Sequence, residues 1–153
     1  MKNALGLTLA CTLTLAACGG DSPETDAMPA DETPAMSAGP VGTVSILSPA
    51  EGSEVEGSSV TVELSVSGFP IVEAGDMTVG TGHHHLYLDA DLTPASEPVP
   101  TVEGSIIHMG DGSSTYTFEN VAPGEHRLIA VVADGAHFPL QPWVVDTVTF
   151  RVP

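Results

Sequence analysis

The chain has 153 residues, with twenty acidic residues against three Lys and Arg and a formal net charge of −17. A surface of that balance with no basic patch repels nucleic acid and anionic headgroups, which excludes a nucleic-acid partner. Cys11 and Cys18 both stand near the start, so the remaining chain has no thiol for a nucleophile, a disulfide or a blue-copper centre.

Residues 1–17 read as an export signal. Lys2 is their only charge, and the apolar run from Ala4 to Ala17 is short for a permanent membrane span. Leu15-Ala16-Ala17-Cys18 resembles the bacterial lipobox, in which cleavage before the cysteine leaves that residue lipid-modified. The alternative is an ordinary signal peptide with a chance cysteine. Cleavage at the lipobox removes Lys2 and Cys11 and leaves Arg127 and Arg151 against twenty carboxylates, a net charge of −18. The expected product is an exported lipoprotein, held on the cell envelope by lipid on Cys18. Where there are two membranes, Gly19 in place of an inner-membrane aspartate favours the outer membrane, facing the periplasm.

Residues 18–42 are rich in Pro, Ala, Ser, Asp and Glu and contain no aromatic residue. Such a stretch buries too little apolar surface to offset the entropy of ordering, and is expected to be a flexible tether. Asp21, Glu24, Asp26, Asp31 and Glu32 make it acidic.

From residue 43 onward the pattern becomes that of strands. Val60, Val62, Leu64 and Val66 alternate with Thr61, Glu63 and Ser65, the period of a half-buried strand. Asp146 to Val152 repeats it with Val148, Phe150 and Val152 inward. "SIIHM" and "STYTF" flank Gly110-Asp111-Gly112, a hairpin signal. Pro123-Gly124 marks a turn before "HRLIAVVAD", an apolar run suited to a central strand. No segment shows helical periodicity. The expectation is a single all-β domain over 43–153, an immunoglobulin-like β-sandwich, with long connections at Gly68–Gly82, Ala90–Gly104 and Gly135–Trp143 that are the places for function.

All six histidines fall in this region: His83, His84, His85, His108, His126 and His137. Side chains alternate along a strand, so His83 and His85 share one face and His84 takes the other. An i, i+2 imidazole pair on a rigid strand offers two nitrogen ligands to Cu²⁺ or Zn²⁺. His108 and His137 are the expected completions. His126 is either a ligand or a structural hydrogen bonder in the place where immunoglobulin-like domains often put a corner tyrosine. His84, on the face of Leu86 and Leu88, is expected to be buried and hydrogen-bonded. Asp89 and Asp134 are candidates for acceptors that orient imidazoles. Met77 and Met109 could add thioether sulfur but read as core.

"GHHHLYLD", "IHMGDGSSTYTF" and "APGEHRLIAVVADGAHFPLQPWVVDTVTFRV" together resemble the bacterial exported domain-of-unknown-function family numbered 4399. The matching motifs are a Gly-His-His-His-Leu stretch, a Pro-Gly-x-His strand start and an Asp-x-x-His-x-Pro loop. The likeness runs from about Thr81 to Val152. It implies that the six histidines, with Asp89 and Asp134, belong together, and it implies nothing about their chemistry. Met109 stands where the family has Phe, and Arg127 where Thr is common.

Three functions compete. One is a lipoprotein that binds copper or zinc for buffering, delivery or resistance, with a metal-donor or metal-acceptor protein as partner. Another is a non-catalytic immunoglobulin-like binding or structural module whose histidines serve hydrogen bonds. The third, an enzyme, is disfavoured. A superoxide dismutase would lack its disulfide and zinc loop, its surface would repel superoxide, and no Gly-x-Ser-x-Gly hydrolase stretch is present. Convergence of the histidines decides between the first two.

Overall fold

The computed structural model describes residues 42–153. The expected export signal at 1–17, Cys18 and the expected tether as far as residue 41 lie outside the described residues. Every regular element among those described is a strand: β1 Thr43–Ser48, β2 Ser53–Glu54, β3 Val60–Ser67, β4 His83–Leu88, β5 Ile106–Met109, β6 Thr115–Phe118, β7 Gly124–Ala133 and β8 Val145–Val152. They form a three-stranded sheet in the order β1-β3-β6 and a five-stranded sheet in the order β2-β8-β7-β4-β5. Among the strand pairs of the described residues, the short β2–β8 pairing is the parallel one.

The alternation in β3 and β8 does what its period demands. Val60, Val62 and Leu64 are buried while Thr61, Glu63 and Ser65 are exposed, and Val148, Phe150 and Val152 turn inward. These side chains meet Val44 and Ile46 of β1, Leu86 and Leu88 of β4, Met109 of β5, and Leu128, Ala130 and Val132 of β7 in one core between the sheets. Full burial of each large aliphatic chain here contributes about 1.5–3 kcal/mol. The result is an all-β, two-sheet sandwich.

The expected hairpin through Gly110-Asp111-Gly112 does not form. β5 pairs with β4 in the five-stranded sheet, whereas β6 pairs with β3 in the other. The segment between them therefore crosses from one sheet to the other. Asp111 Oδ1 accepts the Ser113 amide at 3.0 Å, and Leu64 N donates to Ser114 O at 2.8 Å. A local turn signal was outweighed by where each strand can bury its apolar face.

The five-stranded sheet is covered on its second face too. Tyr87, Val99, Ile106, Ile129, Val131 and Ala133 form a smaller apolar cluster there. Val99 comes from the long Ala90–Gly104 connection, whose Thr93 accepts the Tyr87 hydroxyl proton at 3.0 Å. This second face, not the core between the sheets, carries the histidine site.

Candidate metal centre

Strand β4 lies between β5 and β7, so all six of its residues are buried. His83 and His85 fall on the second face with Tyr87, and His84 falls on the core face with Leu86 and Leu88. The register then supplies a third imidazole: His85 stands opposite His108 of β5, with rings stacked at 5.1 Å. Cross-strand neighbours at that spacing interact directly.

The fourth imidazole comes from the loop after β7. Asp134 builds this loop: its Oδ1 accepts the amides of Ala136 and Phe138, both at 2.9 Å, and its backbone oxygen accepts the His137 amide at 2.9 Å. Val99 N donates to His137 O at 2.8 Å and ties the loop to the Ala90–Gly104 connection. His137 itself is held at φ 70°. A left-handed conformation in a residue with a Cβ costs on the order of 1–3 kcal/mol and persists only where the surroundings impose it.

One donor atom from each of His83, His85, His108 and His137 lies within 4.8 Å of every other. The ring centroids of all six pairs are 4.7 to 5.6 Å apart. His83 Nε2 and His85 Nε2 are 3.0 Å apart, and His108 Nε2 and His137 Nε2 are 3.2 Å apart. Without a metal, one nitrogen of each pair must donate its proton to the other, because two lone pairs at that distance repel. Metal–nitrogen bonds of about 2.0–2.1 Å in a tetrahedron put donor atoms about 3.3 Å apart. The two short separations are near that value, and the widest closes with side-chain shifts of about 1 Å.

The electrostatics keep these donors available. Burial, reinforced by the neighbouring imidazoles, pushes His83 down to about 4 and His85 down to about 3. Burial and His137 lower His108 as well. A neutral imidazole is the form that binds a cation. The Nδ1 atoms of His83 and His85 are buried without a hydrogen-bond partner among the described residues. Buried polar groups are rarely left unpaired without a functional reason.

Glycines leave room for this packing. A Cβ on Gly110 would lie 2.7 Å from His108 Nε2 and also meet its Cε1, and one on Gly135 would strike the backbone oxygen of Asp76. At Gly135 the backbone of the loop between β3 and β4 leaves no room for a side chain, and at Gly110 a side chain would have to displace the His108 ring. The signal was present in the sequence, since glycine stands within two residues of His83, His108 and His137.

The family model described as "Domain of unknown function (DUF4399)" matches residues 62–153. The chain belongs to this family. The segment shared with DUF4399 contains all six histidines. Comparison with functionally characterised proteins gives no significant match. Among solved structures, the chain is similar to an engineered protein crystallised by the Northeast Structural Genomics Consortium, at 15% identity and a TM-score of 0.41, with 73% of this chain and 20% of that chain covered. The chain thus spans about a fifth of that protein's length.

Within the DUF4399 segment, two histidines stand apart from the four. His126 opens β7, and the β4–β7 register places it beyond the Leu88–Leu128 pair, at the opposite end of β4 from His83. That is about 20 Å away along the strands, so it is not a ligand of this cluster. Its Nδ1 meets Asp89 Oδ2 and its Nε2 meets Ala122 O, both at 2.7 Å, and its ring stacks on Phe150 at 5.4 Å. This is the structural alternative expected for it. Burial is the largest single influence on His126 and lowers its pKa, but the Asp89 carboxylate and the Ala122 carbonyl together outweigh it and raise the pKa. His84 is buried in the sandwich core and pushed down to about 4 by that burial. Its Nδ1 has no partner among the described residues, contrary to the hydrogen bond expected.

The acidic candidates also divide. Asp89 orients an imidazole, but that of His126, while also accepting the Arg127 amide at 2.9 Å. Asp134 shapes the His137 loop through backbone amides and has no hydrogen bond to an imidazole among the described residues. Met109 is core, as expected, whereas Met77 is exposed.

Proposed function

We propose that the protein is a cell-envelope lipoprotein that binds copper or zinc through His83, His85, His108 and His137. It would serve metal buffering, delivery or resistance. The observation that carries the reading is the convergence of four imidazole donor atoms, from two strands and a loop, within 4.8 Å of one another. Four neutral nitrogens and no thiolate suit Cu²⁺ and Zn²⁺, which imidazole binds well, better than Mg²⁺ or Ca²⁺, which prefer oxygen. The lipobox-like Leu15-Ala16-Ala17-Cys18 supports export, acylation and a place on the outer membrane facing the periplasm. The two-sheet sandwich and its β7 corner histidine support an immunoglobulin-like domain. We assign no catalytic role, and the partner is a protein that donates or accepts the metal.

The test is competitive titration of the protein, purified without a histidine tag, with Cu²⁺, Cu⁺ and Zn²⁺. The expected result is one-to-one binding at or below about micromolar Kd, equivalent to roughly −8 kcal/mol. Weak, multi-site binding would assign the cations to the acidic surface. It would favour the second reading, in which the two nitrogen–nitrogen contacts of 3.0 and 3.2 Å are structural hydrogen bonds.

A further inference from the structure

The four histidines are not equivalent. His83 and His85 have no solvent exposure, lie on a strand hydrogen-bonded on both sides, and have no route to solvent of their own. His108 and His137 are partly exposed. His108 stands on β5, the edge strand of the five-stranded sheet, and His137 stands on a loop in a left-handed conformation. The backbone strain at His137 is released if the loop relaxes, whereas moving His83 or His85 means breaking two strand ladders.

Building on the metal reading above, we infer that the site is divided into a fixed inner pair, His83 and His85, and an outer exchange pair in which His137 leaves first. An incoming donor approaches from the open side and its lone pair forms a new bond to the metal. The bond from His137 Nε2 to the metal breaks, and its electron pair stays on the nitrogen. The metal keeps its oxidation state and no proton is consumed. His108 follows as a second incoming donor binds, the bonds from His83 and His85 break last with their electron pairs left on the nitrogens, and the metal leaves on the incoming donors. A metal-acceptor side chain with a nitrogen or sulfur donor can therefore take the ion without the domain unfolding. The incoming chemistry is that of a soft or borderline donor.

The experiment loads the full chain with Zn²⁺, and separately with Cu²⁺. It follows removal by the chelating dye pyridylazo-resorcinol from the absorbance of the metal–dye complex. For the wild type the removal rate is expected to rise in proportion to dye concentration, as attack on a bound metal requires. His137→Ala should keep one-to-one binding while losing metal at least about tenfold faster, equivalent to about 1.4 kcal/mol. His85→Gln should lose one-to-one binding, with circular dichroism checking that it is folded. A removal rate independent of dye concentration would overturn the route, because it would mean that the protein must open first. So would a His137→Ala variant as impaired in affinity as a folded His85→Gln. The wild-type concentration dependence decides even if His85→Gln does not fold. Absence of one-to-one binding in the wild type overturns the metal reading itself, and this route with it.

Discussion

The two ends of strand β4 set histidine to opposite uses. At the His83 end four imidazoles crowd together with no carboxylate hydrogen-bonded to any of them among the described residues, and burial keeps the inner two neutral. At the other end, past Leu88, one imidazole sits between a carboxylate and a carbonyl, so both ring nitrogens face acceptors. Two acceptors favour two N–H groups, and together they raise the pKa of His126. The same side chain is a neutral donor set in one place and a clamp between two acceptors in the other. The difference lies in whether lone pairs or protons are matched by the surroundings.

The largest way to break the comparison is at the ligand end. His83→Ala/His85→Ala removes half the donors and the rigid half. It is expected to weaken Cu²⁺ or Zn²⁺ binding by at least about a hundredfold, or roughly 2.7 kcal/mol, as read by competitive titration. His126→Gln should leave affinity unchanged, because that ring is about 20 Å away. An equal loss from both would mean that the cluster does not act as a site.

Acid separates the ends next. His83, His84 and His85 have folded pKa values of about 4, 4 and 3 against an ordinary 6.5. A depressed folded value means that the unfolded chain takes up protons first. Stability from these groups is thus complete above pH 6.5 and is lost as pH falls below it. Each contributes about 1.4 kcal/mol per pH unit at most. Metal-free protein should lose several kcal/mol between pH 6.5 and 5, before most carboxylates titrate. Urea denaturation at pH 7, 6 and 5 measures it, and a flat profile would show that water reaches these rings.

How much of this was legible in the sequence depends on range. The alternation of β3 and β8, and the division of His83 and His85 from His84, needed only a period of two, and β7 needed only its continuous apolar run. The meeting of His108 with His85 needed the β4–β5 register, which no local pattern encodes. Reading Gly110-Asp111-Gly112 as a hairpin failed for the same reason: β6 belongs to β3 through pairs such as Val62 with Tyr116. Asp89 and Asp134 were recognisable as acceptors, but their partners were not. His126 lies 37 residues from Asp89, and the amides around Asp134 become visible only with the loop closed.

Gly110→Ala sharpens the ligand end without removing a ligand. Gly110 does not occupy the left-handed region, so alanine adds no backbone strain, and the atoms nearest its methyl group belong to the movable His108 ring and Ala74. The ring must swing away. Affinity should fall about tenfold, or 1.4 kcal/mol, with the urea midpoint of the metal-free protein nearly unchanged. A fall in the midpoint as large as the fall in affinity would mean that His108 is held as part of the fold.

The smallest effect sharpens the clamp end. His126 has a raised folded pKa, so its contribution to stability is complete below pH 6.5 and disappears as pH rises through the folded value. Asp89 is half exposed, which screens the pair and limits the contribution to about 1 kcal/mol or less. Groups facing His126 are Asp89, the Ala122 carbonyl and the Phe150 ring, with Arg127 adjacent in sequence and paired instead with Asp91 at 2.6 Å. Asp89→Asn tests the assignment cleanly. Asparagine tolerates the φ of 54° found there, and its side-chain oxygen can still accept the Arg127 amide. It cannot hold the second proton on His126. The ring then becomes neutral, keeping a single N–H for the Ala122 carbonyl, and the alkaline loss of stability should vanish while the acid loss remains. Persistence of the alkaline limb in Asp89→Asn would place its origin elsewhere in the chain and leave His126 as a neutral hydrogen bonder, the same in kind as the histidines at the other end.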